Sequence, residues 1–183
     1  MEKLHFERTP LEGAWIVKPD PYVDQRGQMI RTFCRKEFAD HGIEFDVAQT
    51  NASINNHAGT LRGMHCQVEP VAKGKIVRCV RGRVFDVIVD LRPESPTYLR
   101  HFGVELSAEN MKALVIPKSF AHGFLTLEDN TELHYMVDNF YTPEHGRGLR
   151  YDDPVLNINW PRAVEHISAQ DETWPLLKTG ADG

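Results

Sequence analysis

The chain has 183 residues, 21 of them Lys or Arg and 26 Asp or Glu, for a formal charge of −5. That length fills one domain able to bury about 70% of its unfolded surface without cross-links, and a negative chain with no basic block excludes nucleic acid and anionic membrane as expected partners. No stretch approaches the ~18 consecutive apolar residues of a membrane span, and the start Met1-Glu2-Lys3-Leu4-His5 has no signal-peptide run.

In chain order, short runs with strand character fall at residues 14–18, 27–33, 61–67, 76–80, 84–91, 101–106, 112–116, 123–127 and 132–137. Turn residues separate them at fairly even spacing: Gly82, Pro93, Pro96, Asn110, Pro117, Asp129-Asn130 and Pro143. In 84–91, Phe85, Val87, Val89 and Leu91 share one face and Asp86 and Asp90 the other, which predicts a half-buried antiparallel strand. Helical runs are few: 36–41, stopped by Gly42, and a turn or two within 168–177. Many short strands with few helices predict an all-β jelly-roll sandwich or barrel with a few peripheral helices. The expected organisation is one domain over 1–183, with a core at about 12–160 and a tail over 161–183. Cys34, Cys66 and Cys79 are odd in number and lack Cys-x-x-Cys spacing, so free thiols in a reducing, cytoplasmic compartment are expected.

The strongest chemical signal is Leu61-Arg62-Gly63-Met64-His65-Cys66-Gln67, followed ten residues after His65 by Lys75 at the head of the next strand-like run. A base on one strand and a cation on its neighbour suit removal of a proton beside a carbonyl: His accepts the proton and Lys holds the enolate. A His in a strand is also a common structural residue, Lys75 could be an ordinary surface lysine (a role Lys73 fits better), and Tyr135 could be a core aromatic. Arg62 and His65 lie on opposite strand parity, so both can face one pocket only across a bulge or strong twist.

These segments also carry a resemblance. Asp24-Gln25-Arg26-Gly27, Gln49-Thr50-Asn51-Ala52-Ser53, the 61–67 segment, Gly74-Lys75-Ile76-Val77-Arg78, Phe120-Ala121-His122-Gly123-Phe124 and Ile158-Asn159-Trp160-Pro161 occur in the order found in the nucleotide-sugar 3,5-epimerases typified by dTDP-4-dehydrorhamnose 3,5-epimerase. The chain resembles that family from residue 24 to about 171. The resemblance implies a cupin-type jelly roll, no metal or organic cofactor, and a homodimer whose N-terminal strand crosses to the partner. The metal-free reading has independent support, because metal cupins commonly present His-x-His where this chain has His65-Cys66-Gln67.

By resemblance, His65 is the catalytic base and Asp171 its orienting partner. Lys75 steadies the enolate, and Tyr135 is the acid on the far face of the sugar. Arg26, Gln49, Asn51, Arg62, Lys75 and His122 would hold the nucleotide diphosphate. The implied activity inverts C3, C5 or both in an NDP-4-keto-6-deoxyhexose. The chain departs from the family pattern at Gln28 and Arg31, in the strand expected to help cover the base, and at Cys66, Met136 and Phe140. A single-site epimerase on a CDP- or GDP-linked sugar, or a sugar-nucleotide-binding jelly roll without catalysis, therefore stand as alternatives.

Overall fold

The structure is a computed structural model that describes residues 3–178; residues 179–183 of the expected tail lie outside the described residues. The chain runs through β1 (Leu4–Arg8), β2 (Trp15–Pro19), β3 (Tyr22–Asp24), β4 (Gly27–Met29), α1 (Arg35–Asp40), β5 (Gln49–Asn55), β6 (Leu61–Gln67) and β7 (Lys75–Arg81). It continues through β8 (Arg83–Asp90), β9 (His101–Ser107), β10 (Ala113–Ile116), β11 (Phe120–Thr126), β12 (Thr131–Val137), a 3-10 turn at Pro143–His145, β13 (Gly146–Gly148) and α2 (Ala169–Glu172). One sheet has the order β1-β2-β10-β7-β12-β5 and the other β13-β6-β11-β8-β9, while β3 and β4 form a separate hairpin. Every ladder between these strands is antiparallel. The non-sequential strand orders in two facing antiparallel sheets give the cupin-type jelly roll expected from the sequence.

The β7–β8 turn shows how local chemistry fixes the register. Gly82 has φ of 71°, and a Cβ there would stand 2.4 Å from Thr131 Oγ1, so only glycine lets these strands reverse against β12.

Three apolar layers hold the sheets. Between them, Val77 and Cys79 of β7, Leu114 of β10 and Leu133 of β12 meet Val84 and Ile88 of β8 and Phe120 and Phe124 of β11. Phe38 of α1, with Phe33 and Phe45, covers the outer face of the first sheet at Val17, Ile76 and Val115. The second sheet's outer face, at Met64, Val87, Val89 and Ala121, is covered by Leu156, Ile158, Trp160 and Leu177. Each fully buried aliphatic side chain contributes about 1.5–3 kcal/mol, so cover on both sides is what stabilises these strands.

This double cover corrects the reading of 84–91. The strand is buried on both faces, and Asp86 and Asp90 are 0% exposed. The alternation was read correctly, but the face carrying the aspartates turns into the barrel, where partners satisfy them. Asp90 accepts hydrogen bonds from Ser95 Oγ (2.6 Å), Thr97 Oγ1 (2.7 Å) and Arg92 Nη2 (2.8 Å). Burial pushes its carboxyl up, but these donors outweigh burial and hold it well below the usual range.

Other expectations shift as well. A strand at Leu4–Arg8 precedes the expected core and pairs with β2. Of 27–33, only Gly27–Met29 is strand. Phe33 turns inward against Phe38 and Phe45, and Arg31 Nη1 pairs with Glu37 Oε1 at 2.5 Å. Buried Glu37 also accepts the backbone N–H groups of Lys3 and Leu4 at 2.8 and 2.9 Å, which anchors the start of β1. The helix sought in 168–177 is limited to Ala169–Glu172; Pro175 disfavours helical backbone at the residue before it.

Candidate active site

Beside the apolar core between its sheets, the barrel holds a cavity of ≈ 840 Å³ walled by β5, β6, β7, β11, β12 and β13 and by the segment containing α2. Its geometry begins with an irregularity in β6. His122 of β11 pairs with His65 and Phe124 with Arg62, so Gly123 alone faces both Gly63 and Met64. This bulge brings Arg62 and His65 to the same cavity despite their opposite parity. Gly63 has φ of 133°, and a Cβ on it would lie 2.5 Å from Gly123 Cα. Two glycines therefore allow the close backbone approach.

His65 Nε2 lies 2.5 Å from Asp171 Oδ1, although 106 residues separate them. The imidazole is 46% exposed and the carboxylate 5%. Asp171 is fixed from several sides: Oδ2 accepts the Gly63 N–H at 3.2 Å, Oδ1 accepts the Trp174 indole N–H at 3.3 Å, and its own N–H bonds to Ser168 Oγ at 3.1 Å, capping α2. Burial pushes the Asp171 carboxyl up, but the contacts from His65, Gly63 and Trp174 win and hold it below its ordinary value. An ionised Asp171 requires a proton on His65 Nε2, which leaves Nδ1 with its lone pair free to act as a base.

Tyr135 lies on β12 in the opposite sheet, in register with Val77, and lines the same cavity. Burial raises its phenol pKa, partly offset by the charge of Arg62, so it stays protonated at neutral pH. Lys75, at the start of β7, also lines the cavity. Its Nζ is 3.4 Å from His122 Nδ1, and His122 Nε2 is 3.0 Å from both oxygens of Asp86. Burial, reinforced by the charge of Lys73, brings Lys75 down to about 8, while Asp86 pulls the other way. Burial likewise lowers His122, favouring a neutral ring that donates to Asp86 through Nε2 and accepts from Lys75 through Nδ1. Both nitrogens are then engaged inside the protein, so His122 holds Lys75 rather than offering a free donor to phosphate.

The cavity is cationic. Arg62, Lys73, Lys75 and Arg147 line it. Among the described residues none of the four has a carboxylate within salt-bridge distance. Arg62 Nε donates to Asn55 Oδ1 at 2.8 Å, and Arg147 Nη1 donates to the carbonyls of Glu144 and Gly146 at 3.0 and 2.7 Å. Lys73, read from sequence as the surface lysine, instead lines the cavity with Nζ 5.1 Å from the centre of the Tyr141 ring.

Three expected binding residues lie apart from this cavity. Arg26 sits at the β3–β4 turn, its side chain 81% exposed and paired with Asp24 at 2.5 Å. Gln49 Oε1 accepts the Tyr141 N–H at 2.7 Å, and Asn51 is exposed on edge strand β5. Sequence reasoning missed Asp86, Lys73, Arg147 and Trp174 as members of the site. The only signal for Asp86 was its alternation, read toward solvent; nothing in the sequence pattern marks the other three. Among the described residues no group of three or more His, Cys, Asp or Glu side chains is placed to hold a metal ion.

The jelly roll thus gathers a carboxylate-held imidazole, a phenol from the opposite sheet and an ammonium around one cavity, groups suited to an isomerase that moves protons at carbon. The family model described as dTDP-4-dehydrorhamnose 3,5-epimerase matches residues 8–179, and the chain belongs to that family. The Sinorhizobium fredii dTDP-4-dehydrorhamnose 3,5-epimerase is 40% identical over 178 residues, covering 97% of this chain and 91% of the relative. The structure of dTDP-6-deoxy-D-glucose-3,5-epimerase from Legionella pneumophila in complex with dTDP-4-keto-L-rhamnose is 36% identical, with a TM-score of 0.89 and 94% and 92% of the two chains covered. A 3'-monoepimerase of Streptomyces bikiniensis in complex with dTDP-quinovose is 35% identical, with a TM-score of 0.85 and 92% and 85% covered.

Proposed function

We propose that this cavity inverts C3 and C5 of dTDP-4-dehydro-6-deoxyglucose through an enolate, with no cofactor. The observation that carries the reading is the His65–Asp171 pair on one wall with Tyr135 on the other and Lys75 in the same cavity. His65 Nδ1 takes the proton next to the C4 ketone, and the C–H electrons move to form the enolate. The Lys75 ammonium bears the new negative charge on O4. Tyr135 then delivers a proton to the opposite face of the same carbon and recovers one from solvent, while His65 Nδ1 releases its proton to solvent. Acid–base chemistry supplies about 10²–10⁴-fold. A preorganised donor at the enolate oxygen adds on the order of 3 kcal/mol, so Lys75 carries a share comparable to that of the base.

Substrate charge fits the unpaired cations. Arg62, Lys73 and Arg147 are placed for a diphosphate, which guanidinium groups bind through paired N–H donors. The nucleotide assignment rests on the family, whose structures above carry thymidine-linked sugars.

The same reading places Arg26, Gln49 and Asn51 at a site shared by two copies. Hairpin residues Tyr22, Val23 and Met29 are 61%, 68% and 71% exposed, and Ile54 of edge strand β5 is 68% exposed. A homodimer in which the hairpin lies along the partner's β5 would cover both and bring these three residues toward a substrate; sedimentation at micromolar concentration should give twice the monomer mass. Free cysteines fit a cytoplasmic enzyme, and no helix of the described residues is long and apolar enough to cross a membrane.

The test is deuterium wash-in from D₂O, followed by NMR at each sugar carbon, over dTDP-, CDP- and GDP-4-keto-6-deoxyhexoses. Exchange at both C3 and C5 of the dTDP sugar is expected. Exchange at C3 alone would place the chain with single-site enzymes such as the Streptomyces bikiniensis relative, and no exchange on any of the three would reject the reading.

A further inference from the structure

Asp171 receives one donor that the proton-transfer scheme does not use. The Trp174 indole N–H reaches Oδ1, the oxygen that also binds His65 Nε2. The indole has a built seat. Gly148 of β13 is the register partner of His65 on β6, and a Cβ on Gly148 would stand 2.1 Å from Trp174 Cε2 and 2.3 Å from its Nε1. The ring thus lies directly on the backbone opposite the base, where any side chain would displace it. Trp174 also lines the substrate cavity, and the chain just beyond it is tied down where the Leu177 N–H bonds to Asp153 Oδ2 at 2.6 Å. A rigid flat donor, a side-chain-free seat and a pinned exit together make the indole a fixed brace.

We propose that Trp174 is a positioning residue for proton abstraction, acting through Asp171 to hold the His65 ring in its productive orientation, with Gly148 as its seat. This rests on the reading of His65 as the base. Without the indole, Asp171 keeps its bonds to Gly63 and Ser168, but its Oδ1 is held by the mobile His65 ring alone. The carboxylate can then rotate, and His65, half-exposed and otherwise unsupported at Nε2, rotates with it. The loss falls on the chemical step and leaves ground-state binding unchanged.

Trp174→Phe keeps an aromatic side chain beside Gly148 but removes the N–H together with the second ring of the indole. In steady-state kinetics on dTDP-4-keto-6-deoxyglucose, kcat should fall about tenfold, the order expected for one hydrogen bond to a charged group, with KM and dTDP affinity unchanged within twofold. Gly148→Ala, which pushes the indole off its seat while retaining the N–H, should lower kcat in the same way. His65→Ala is measured alongside. If His65→Ala is inactive while Trp174→Phe keeps the wild-type kcat, the indole is packing only and this inference fails while the base assignment stands. A rise in KM with kcat unchanged overturns it too, by making Trp174 a binding residue. If His65→Ala exchanges at the wild-type rate, the base assignment itself has failed. Folding of each variant is checked by its near-UV circular dichroism; a Trp174→Phe chain that is folded, binds dTDP and turns over slowly is the supporting result.

Discussion

Two histidine–aspartate pairs border the same cavity, and they differ in one respect that governs everything else. His65–Asp171 has its imidazole 46% exposed, whereas His122–Asp86 has its imidazole 9% exposed and its carboxylate 0%. The chemical groups are the same, but the first is open to the cavity and the second is nearly closed off from it. The second lies between β8 and β11, with both imidazole nitrogens bonded inside the protein. In the proposed mechanism it holds Lys75, whose ammonium faces the substrate. On that proposal, burial decides which pair is reagent and which is scaffold.

Four experiments would break or sharpen that contrast. The largest effect belongs to the exposed pair: His65→Ala should lower C–H exchange by about 10³–10⁴-fold with little change in melting temperature, as read by deuterium wash-in and thermal unfolding. Asp171→Asn should follow at about 10²–10³-fold, because an amide no longer enforces the proton on Nε2 and the free nitrogen can be the wrong one. If Asp171→Asn retained full activity, the carboxylate would not be orienting the ring.

Asp86→Ala should invert the pattern. The nearly buried His122 N–H loses its acceptor, which costs about 1–3 kcal/mol of folding stability, measured by urea unfolding. The equivalent loss at Asp171 leaves an imidazole that water can solvate. Equal stability costs for Asp86→Ala and Asp171→Ala would erase the difference between the two pairs.

The smallest effect is a pH limb. Burial brings Lys75 down to about 8 from the ordinary lysine value of 10.5, so it loses its proton as pH rises through 8 and the enolate loses its cation. The plot of kcat/KM against pH, which reports groups of the free enzyme, should bend downward near pH 8. Tyr135 is raised above its ordinary value and does not account for that limb. Asp86→Asn removes the charge that supports the Lys75 ammonium and should move the bend to lower pH. Stability carries the opposite sign: between pH 8 and 10.5 the unfolded chain binds a proton the native one does not, so this lysine's contribution to stability rises with pH. A flat kcat/KM profile to pH 9.5 would rule out a catalytic cation at Lys75.

How much of this could be read from the sequence depends on the range of the interaction. Strand β6 was bounded correctly at 61–67, and Tyr135 and Leu133, two apart on β12, both line the cavity as strand alternation requires. Parity also posed the right question about Arg62 and His65, but its answer lay in Gly63 meeting Gly123 on another strand. Asp86 shows the limit more plainly. Alternation separates the two faces of a strand but says nothing about what covers each, and here both were covered. Lys73 and Arg147 are charged residues in turn-like sequence, where solvent is the default reading, and only the closure of the cavity gave them another one.

The amino-acid order alone pointed to a jelly roll and to the sugar-nucleotide epimerase family, and it marked an imidazole, an ammonium and a phenol as candidates. These follow from period-two patterning and short segments, both of which are local. It set His65 and Lys75 on neighbouring strands, whereas β6 and β7 belong to different sheets that face each other. Three-dimensional packing decided the rest: the bulge that brings Arg62 and His65 to one cavity, the reach of Asp171 and Trp174 from a far segment to His65, and the burial that leaves one His–Asp pair open and encloses the other beside Lys75. Those outcomes depend on contacts between residues tens to a hundred positions apart, where water is excluded only once both sheets and the C-terminal segment have come together.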